Sequence, residues 1–107
     1  MKRGTKVGLI WSETDSEIRF LGYGKYQKKE IPEDGIGLIS EMYRNQSMKT
    51  QKFKLDDGPH VGGSECYWDT IDNIENKLQD GRSVLHIRFI REIRDNEVMA
   101  VAVVLDS

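Results

Sequence analysis

This chain has almost no capacity for cross-linking. Among 107 residues there is one cysteine, Cys66, so no internal disulfide can form and a reducing compartment is implied. Neither sign of charge dominates. The 16 basic and 18 acidic residues are interspersed to a net charge of −2, which argues against bulk, sequence-independent nucleic-acid binding through a basic face. No apolar run approaches the ~20 residues needed to cross a bilayer, and the opening MKRGTKVGLIW has no apolar segment of signal-peptide length. The expectation is a cytoplasmic protein with no membrane contact. A large core is also out of reach. With 37% hydrophobic and 32% charged residues, the chain reads as a single domain over residues 1–107 with a small core, a size at which dimerisation is a common way to add buried area.

What is present alternates between strand and helix patterns. Lys6–Trp11 and Glu17–Tyr26 read as strands joined by the polar turn SETDS. In the second, Gly22 and Gly24 share one face, where missing side chains permit a bend, a bulge or the close approach of another group. Pro32 opens a helix over about residues 33–45, with Ile36, Ile39, Met42 and Tyr43 at helical spacing, and Gly35 and Gly37 weaken its first turn. Lys52–Asp56 is a strand, DDGP a turn, and His60–Trp68 the return strand. Asp69 or Thr70 can cap a helix carrying Ile71, Ile74 and Leu78, which Gly81 suits to end. Ser83–Phe89 returns to strand. Residues 90–97 fit either a helical turn or a hairpin. The run VMAVAVVL at 98–105, apolar on both faces, belongs at the centre of a sheet or at a subunit contact. The resulting order is ββαββαβ with a further strand: an α+β fold, one antiparallel sheet of five to six strands and two short helices.

The segment WSETDSEIRFLGYGKY, then KFKLDDG, then VGGSECYWD before a helix, resembles a family of short, largely uncharacterised phage and prophage proteins. Those carry a Trp-Ser-Glu strand, a Gly-Tyr-Gly strand, a Leu-Asp-Asn-Gly turn and a block of the form Val-Trp-Gly-Cys-Glu-Cys-Trp-Trp-Gly. Val61, Gly63, Glu65, Cys66 and Trp68 fill matching places. Gly62, Ser64, Tyr67 and Asp69 depart from it. The resemblance spans about Lys6–Arg94. It implies a phage context, with the host cytoplasm as location, and no particular reaction. In that setting, small non-enzymatic proteins that bind host factors or immune signalling molecules are a frequent category.

Chemistry in the block is limited by its composition. Ser64 removes one thiolate of a Cys-x-Cys pair, and a zinc site would need His60, Glu65, Cys66 and His86 to converge. A Cys66 nucleophile with His60 or His86 lacks a supporting oxyanion loop, and free cysteines are more often small buried hydrophobes. The carboxylates Glu13 and Asp15 sit in a polar turn where solvated charge is the ordinary explanation. No catalytic residue, metal ligand or cofactor is therefore assigned. Strict alternation along His60–Trp68 puts Cys66 and Trp68 in the core and turns Glu65 and Tyr67 outward, to join Tyr23, Arg19 or Arg88 on an open sheet face. Arg19, Tyr23, Glu65, Tyr67 and Arg88 are thus the candidate binding residues. The function expected first is a non-enzymatic binding protein that engages a host protein or associates with itself as a homo-oligomer. The alternative is a sponge for a nucleotide-derived signal, stacked on Tyr23, Tyr26, Tyr67 or Trp68 and held by Arg82, Arg88 or Lys25. A small enzyme using Cys66 or the carboxylates is a third class. GYGKYQ lacks the spacing of a phosphate-binding glycine motif.

Overall fold

The structure, a computed structural model, describes residues 1–32, 38–95 and 97–105. Its elements are β1 (Lys6–Glu13), β2 (Glu17–Glu30), α1 (Leu38–Asn45), β3 (Thr50–Leu55), β4 (His60–Gly62), β5 (Tyr67–Thr70), α2 (Ile71–Leu78), β6 (Ser83–Arg94) and β7 (Glu97–Leu105). The expected α+β architecture is present: one sheet, antiparallel except at one pair, with two short helices. Local chemistry explains most boundaries. Thr14 Oγ1 accepts from the Ser16 and Glu17 amides and closes the β1–β2 turn. In DDGP, Leu55 donates to the Pro59 carbonyl, and the Lys54 ammonium donates to the carbonyls of Leu55 and Gly58. Thr70 caps α2 by accepting from the Asn73 amide.

The strand order β4-β3-β2-β1-β5 puts β4 and β5 at opposite edges, yet only residues 63–66 connect them. A flat sheet of five strands is about 19 Å between its outer strands, so the sheet must curl until its edges approach. Phe53 on β3 and Trp68 on β5 show the closure directly, with ring centroids 5.0 Å apart. Inside the curl lie Val7, Leu9, Leu21, Tyr26, Phe53, Leu55, Val61 and Ile87, with Trp11, Cys66 and Trp68 packed against them. On the outer side α2 seats Ile74 over Ile10, Ile18 and Phe20.

One expectation changes and two open alternatives are decided. The return strand His60–Trp68 is not continuous: Gly63 donates to the Gln51 carbonyl at 2.7 Å, and Glu65 turns back on Gly62 from both its amide and its carboxylate. β6 and β7 pair as a hairpin, with Asp95 in the left-handed region at φ 50°; Asn96 lies outside the described residues. Among the described residues the apolar tail is not central, since β7 pairs there with β6 alone.

Helix α1 also differs from its reading. Gly35, Ile36 and Gly37 lie outside the described residues. Of the rest, Ile39 and Met42 face solvent, 57% and 46% exposed, while Ser40 is fully buried and hydrogen-bonds Ser64 at 2.9 Å. The curl is already filled by strand side chains and the outer face is held by α2, so α1 docks on the 63–66 turn through a polar contact.

The glycine pair in β2 does both things its spacing permits. Gly22, at φ 117°, follows the bulged Leu21, and at Gly24 a Cβ would stand 2.7 Å from the Lys54 carbonyl oxygen on β3. Gly24→Ala is therefore expected to destabilise the fold by about 1–3 kcal/mol in urea titrations, because backbone must move to admit the methyl group. Gly62→Ala, whose methyl would meet only side-chain atoms at 3.4 Å, is expected to cost less than about 1 kcal/mol.

Candidate functional site

The outer edge of β2 is shared by two strands. β6 runs parallel to it from Glu17↔Ser83 to Phe20↔His86, and β3 runs antiparallel to it from Gly24↔Leu55 onward. Between these ladders the sheet forks. β6 continues as far as Arg94 paired, among the described residues, with β7 alone, because β3 already occupies the edge of β2 that β6 would need. The fork opens a cleft of about 540 Å³ between β2, the Asp56–Gly58 turn and β6.

Parity along the two parallel strands decides what lines the cleft. Phe20 and His86 are paired, and their rings meet edge-on at 5.9 Å; Phe20 meets Tyr23 likewise at 5.3 Å. Arg88, exposed, follows His86 on the same face of β6. Leu21, Leu55 and Ile87 supply an apolar floor, and Asp56 and Asp57 bring carboxylates from the turn. Burial, with the charge of Glu75 second, raises the Tyr23 hydroxyl above the ordinary tyrosine range, so it stays a neutral donor at physiological pH.

Of the five candidate binding residues, the structure brings Tyr23 and Arg88 together at this cleft. The other three lie apart. Arg19 points to the opposite face and pairs with Glu17 at 2.9 Å. Glu65 accepts from the Gly62 amide and lines a different cavity of about 240 Å³, with Glu30, Lys52 and His60. Tyr67 donates to Asp69 at 2.8 Å beneath the Lys77 ammonium, and that hydrogen bond is the main reason its hydroxyl is held above the ordinary range. The broken strand is what separates Glu65 from Tyr67. Alternation across residues 60–68 no longer applies once 63–66 form a turn.

The other candidates are committed elsewhere. Tyr26 is buried and Trp68 packs into the curl, so neither presents a stacking face at the cleft. Arg82 pairs with Glu13 at 3.1 Å and with Asp80 at 2.6 Å, and Glu13 is also held by Lys77 at 3.0 Å. These contacts, Lys77 first, keep the Glu13 carboxyl below its ordinary range, as an ion-pair partner and not as a proton donor near neutrality. Among the described residues no group of three His, Cys, Asp or Glu side chains is placed to hold a metal. His86, Phe20 and Asp56 join the cleft unforeseen. Their types gave no signal, because the parallel β2–β6 pairing that assembles them is not written in any local pattern. Comparison with protein-family models, curated proteins and solved structures finds no match.

Cys66 packs against the curl and its thiol donates to the Gly62 carbonyl at 3.7 Å. Burial, then the Glu65 charge, pushes the thiol up to about 12. Thiolate being the reactive form, iodoacetamide at pH 8 is expected to alkylate folded protein roughly a thousandfold more slowly than a free thiol. Addition of denaturant should restore the ordinary rate. Fast stoichiometric labelling of folded protein, followed by mass spectrometry, would count against a structural Cys66.

Proposed function

We propose that this chain is a non-enzymatic binding protein that engages another protein, a host factor or a second copy of itself, at the fork of its sheet. The observation that carries this reading is the departure of β6 from β2 after Phe20↔His86. That departure leaves β6 from Ile87 to Arg94 with one ladder, on its β7 side, among the described residues. Unpaired strand edges are where other chains add on, through main-chain hydrogen bonds supplemented by side-chain pockets. The cleft beside this edge supplies such a pocket, with aromatic, cationic and anionic groups in one opening. In the phage setting that the Val61–Asp69 block suggests, a host factor would be met in the host cytoplasm.

A second reading, a sponge for a nucleotide-derived signal, draws on one observation. Tyr23 and His86 offer ring faces or edges beside Arg88, the arginine at the cleft. Arg82 does not help it, being held by Asp80 and Glu13.

Native mass spectrometry of protein purified from cells separates the readings. The expected species is a protein complex, two copies or one copy with a partner chain; a monomer that retains a small molecule supports the sponge. Tyr23→Ala combined with Arg88→Ala is expected to weaken the association at least about 10-fold by calorimetry, as loss of central interface residues does. Arg19→Ala, on the opposite face, is expected to leave it unchanged.

A further inference from the structure

Resting on the binding reading above, we infer that the partner is a second copy of this chain, joined by antiparallel pairing of the two β6 strands about a twofold axis at Ile90. Among the described residues, the edge of β6 left without a ladder after His86 is the one that pairs β2 earlier in the strand, so it faces the cleft. A twofold pair of antiparallel strands sets residue i against residue j with i and j on one face, so each register is centred on a single residue.

The sequence IRFIREIR at 87–94 discriminates among those centres. Centred on Ile90, the pairing sets Arg88 against Glu92 twice, Ile87 against Ile93 twice, Ile90 against itself and, as its one mismatch, Phe89 against Arg91 twice. Centred on Arg91, it sets arginine against arginine at 91 and at 88 with 94. Centred on Glu92, it opposes two glutamates. Centred on Phe89, it sets Arg88 against Ile90 and Ile87 against Arg91. Centred on Ile93, it runs into Asp95, whose left-handed backbone ends the strand. Like charges directly opposite are destabilising and unlike charges stabilising, so one register stands out. β7 has no comparable code: between Glu97 and Leu105 it carries no charge, and an uncharged run of valine and alanine sets register weakly.

The same register engages the cleft. The pairing runs from position 87 to position 93, because at His86 the same edge is already taken by Phe20 of β2, so the second copy's strand ends beside the cleft. The assembly closes at two because the contact is isologous.

The test combines charge exchange with cross-linking on the full chain. Wild type is expected to sediment as a dimer at tens of micromolar. Arg88→Glu, an exposed position, should stay folded by circular dichroism and raise the dissociation constant about 10-fold or more, since it sets two glutamates opposite each other twice. Adding Glu92→Arg should restore affinity to within about threefold, which a merely structural role for Arg88 would not. Across the axis the Ile90 Cα atoms would be about 4.5–5.5 Å apart, within disulfide range, so Ile90→Cys should form an intermolecular disulfide under mild oxidation. Cys66 leaves that readout clean, being packed against the core. A dimer indifferent to Arg88→Glu, and cross-linked by Val101→Cys in place of Ile90→Cys, would move the contact to β7 and overturn this inference. A wild-type monomer that carries another protein in its native mass spectrum overturns the dimer and leaves the binding reading. A monomer carrying no other chain overturns both.

Discussion

The curl of the sheet around Phe53 and Trp68 is the contact on which the rest of this structure depends. Strands β3 and β5 are separated in the sheet by β2 and β1, yet their aromatic rings meet at 5.0 Å. Burying large side chains across that distance closes the sheet on itself and converts a two-faced layer into an inside and an outside. The connection at 63–66 can then be short, Cys66 is drawn against the interior, and α2 has a separate outer surface to cover.

Closure of one end leaves a problem at the other. The outer edge of β2 carries two ladders in succession, and no strand can remain paired to it where the other begins. β6 yields that edge at His86 and continues into the hairpin with β7. The cleft at the fork is therefore a consequence of topology. Its contents follow from strand parity, which sets Phe20, His86 and Arg88 on one side of the opening and Leu21 and Ile87 beneath it. Stable elements on either side hold the opening in place, which is how rigid scaffolds usually present binding residues.

Charge is arranged to match. On the far side of the fold, Glu13, Lys77, Arg82 and Asp80 satisfy one another where the β1–β2 turn meets the end of α2, so that cluster fixes geometry and offers little to a ligand. At the cleft, Arg88 and the Asp56–Asp57 pair are exposed on opposite walls. For the proposed binding role, separated charges of both signs suit a partner that is itself mixed in charge, such as a protein surface, better than a uniformly anionic one. Helix α1 adds a further exposed apolar surface at Leu38, Ile39 and Met42, held to the fold at the Ser40–Ser64 hydrogen bond.

Much of the local structure was legible in the amino-acid sequence, because it is decided by residues a few positions apart. The β1–β2 turn, the DDGP turn, the Thr70 cap, and the bend and close approach at Gly22 and Gly24 all follow from side-chain chemistry within a turn or from alternation along a strand. The α+β class followed from the order of those elements. Tertiary structure alone decided the break of His60–Trp68 into β4 and β5, the parallel pairing of Ile18 with Val84, the outward apolar face of α1 and the company kept at the cleft by Tyr23 and Arg88. Each of these depends on which distant strands compete for one edge and one interior. Periodicity records which face of an element is apolar, but not what that face will meet, and here the curl filled the interior before α1 could reach it.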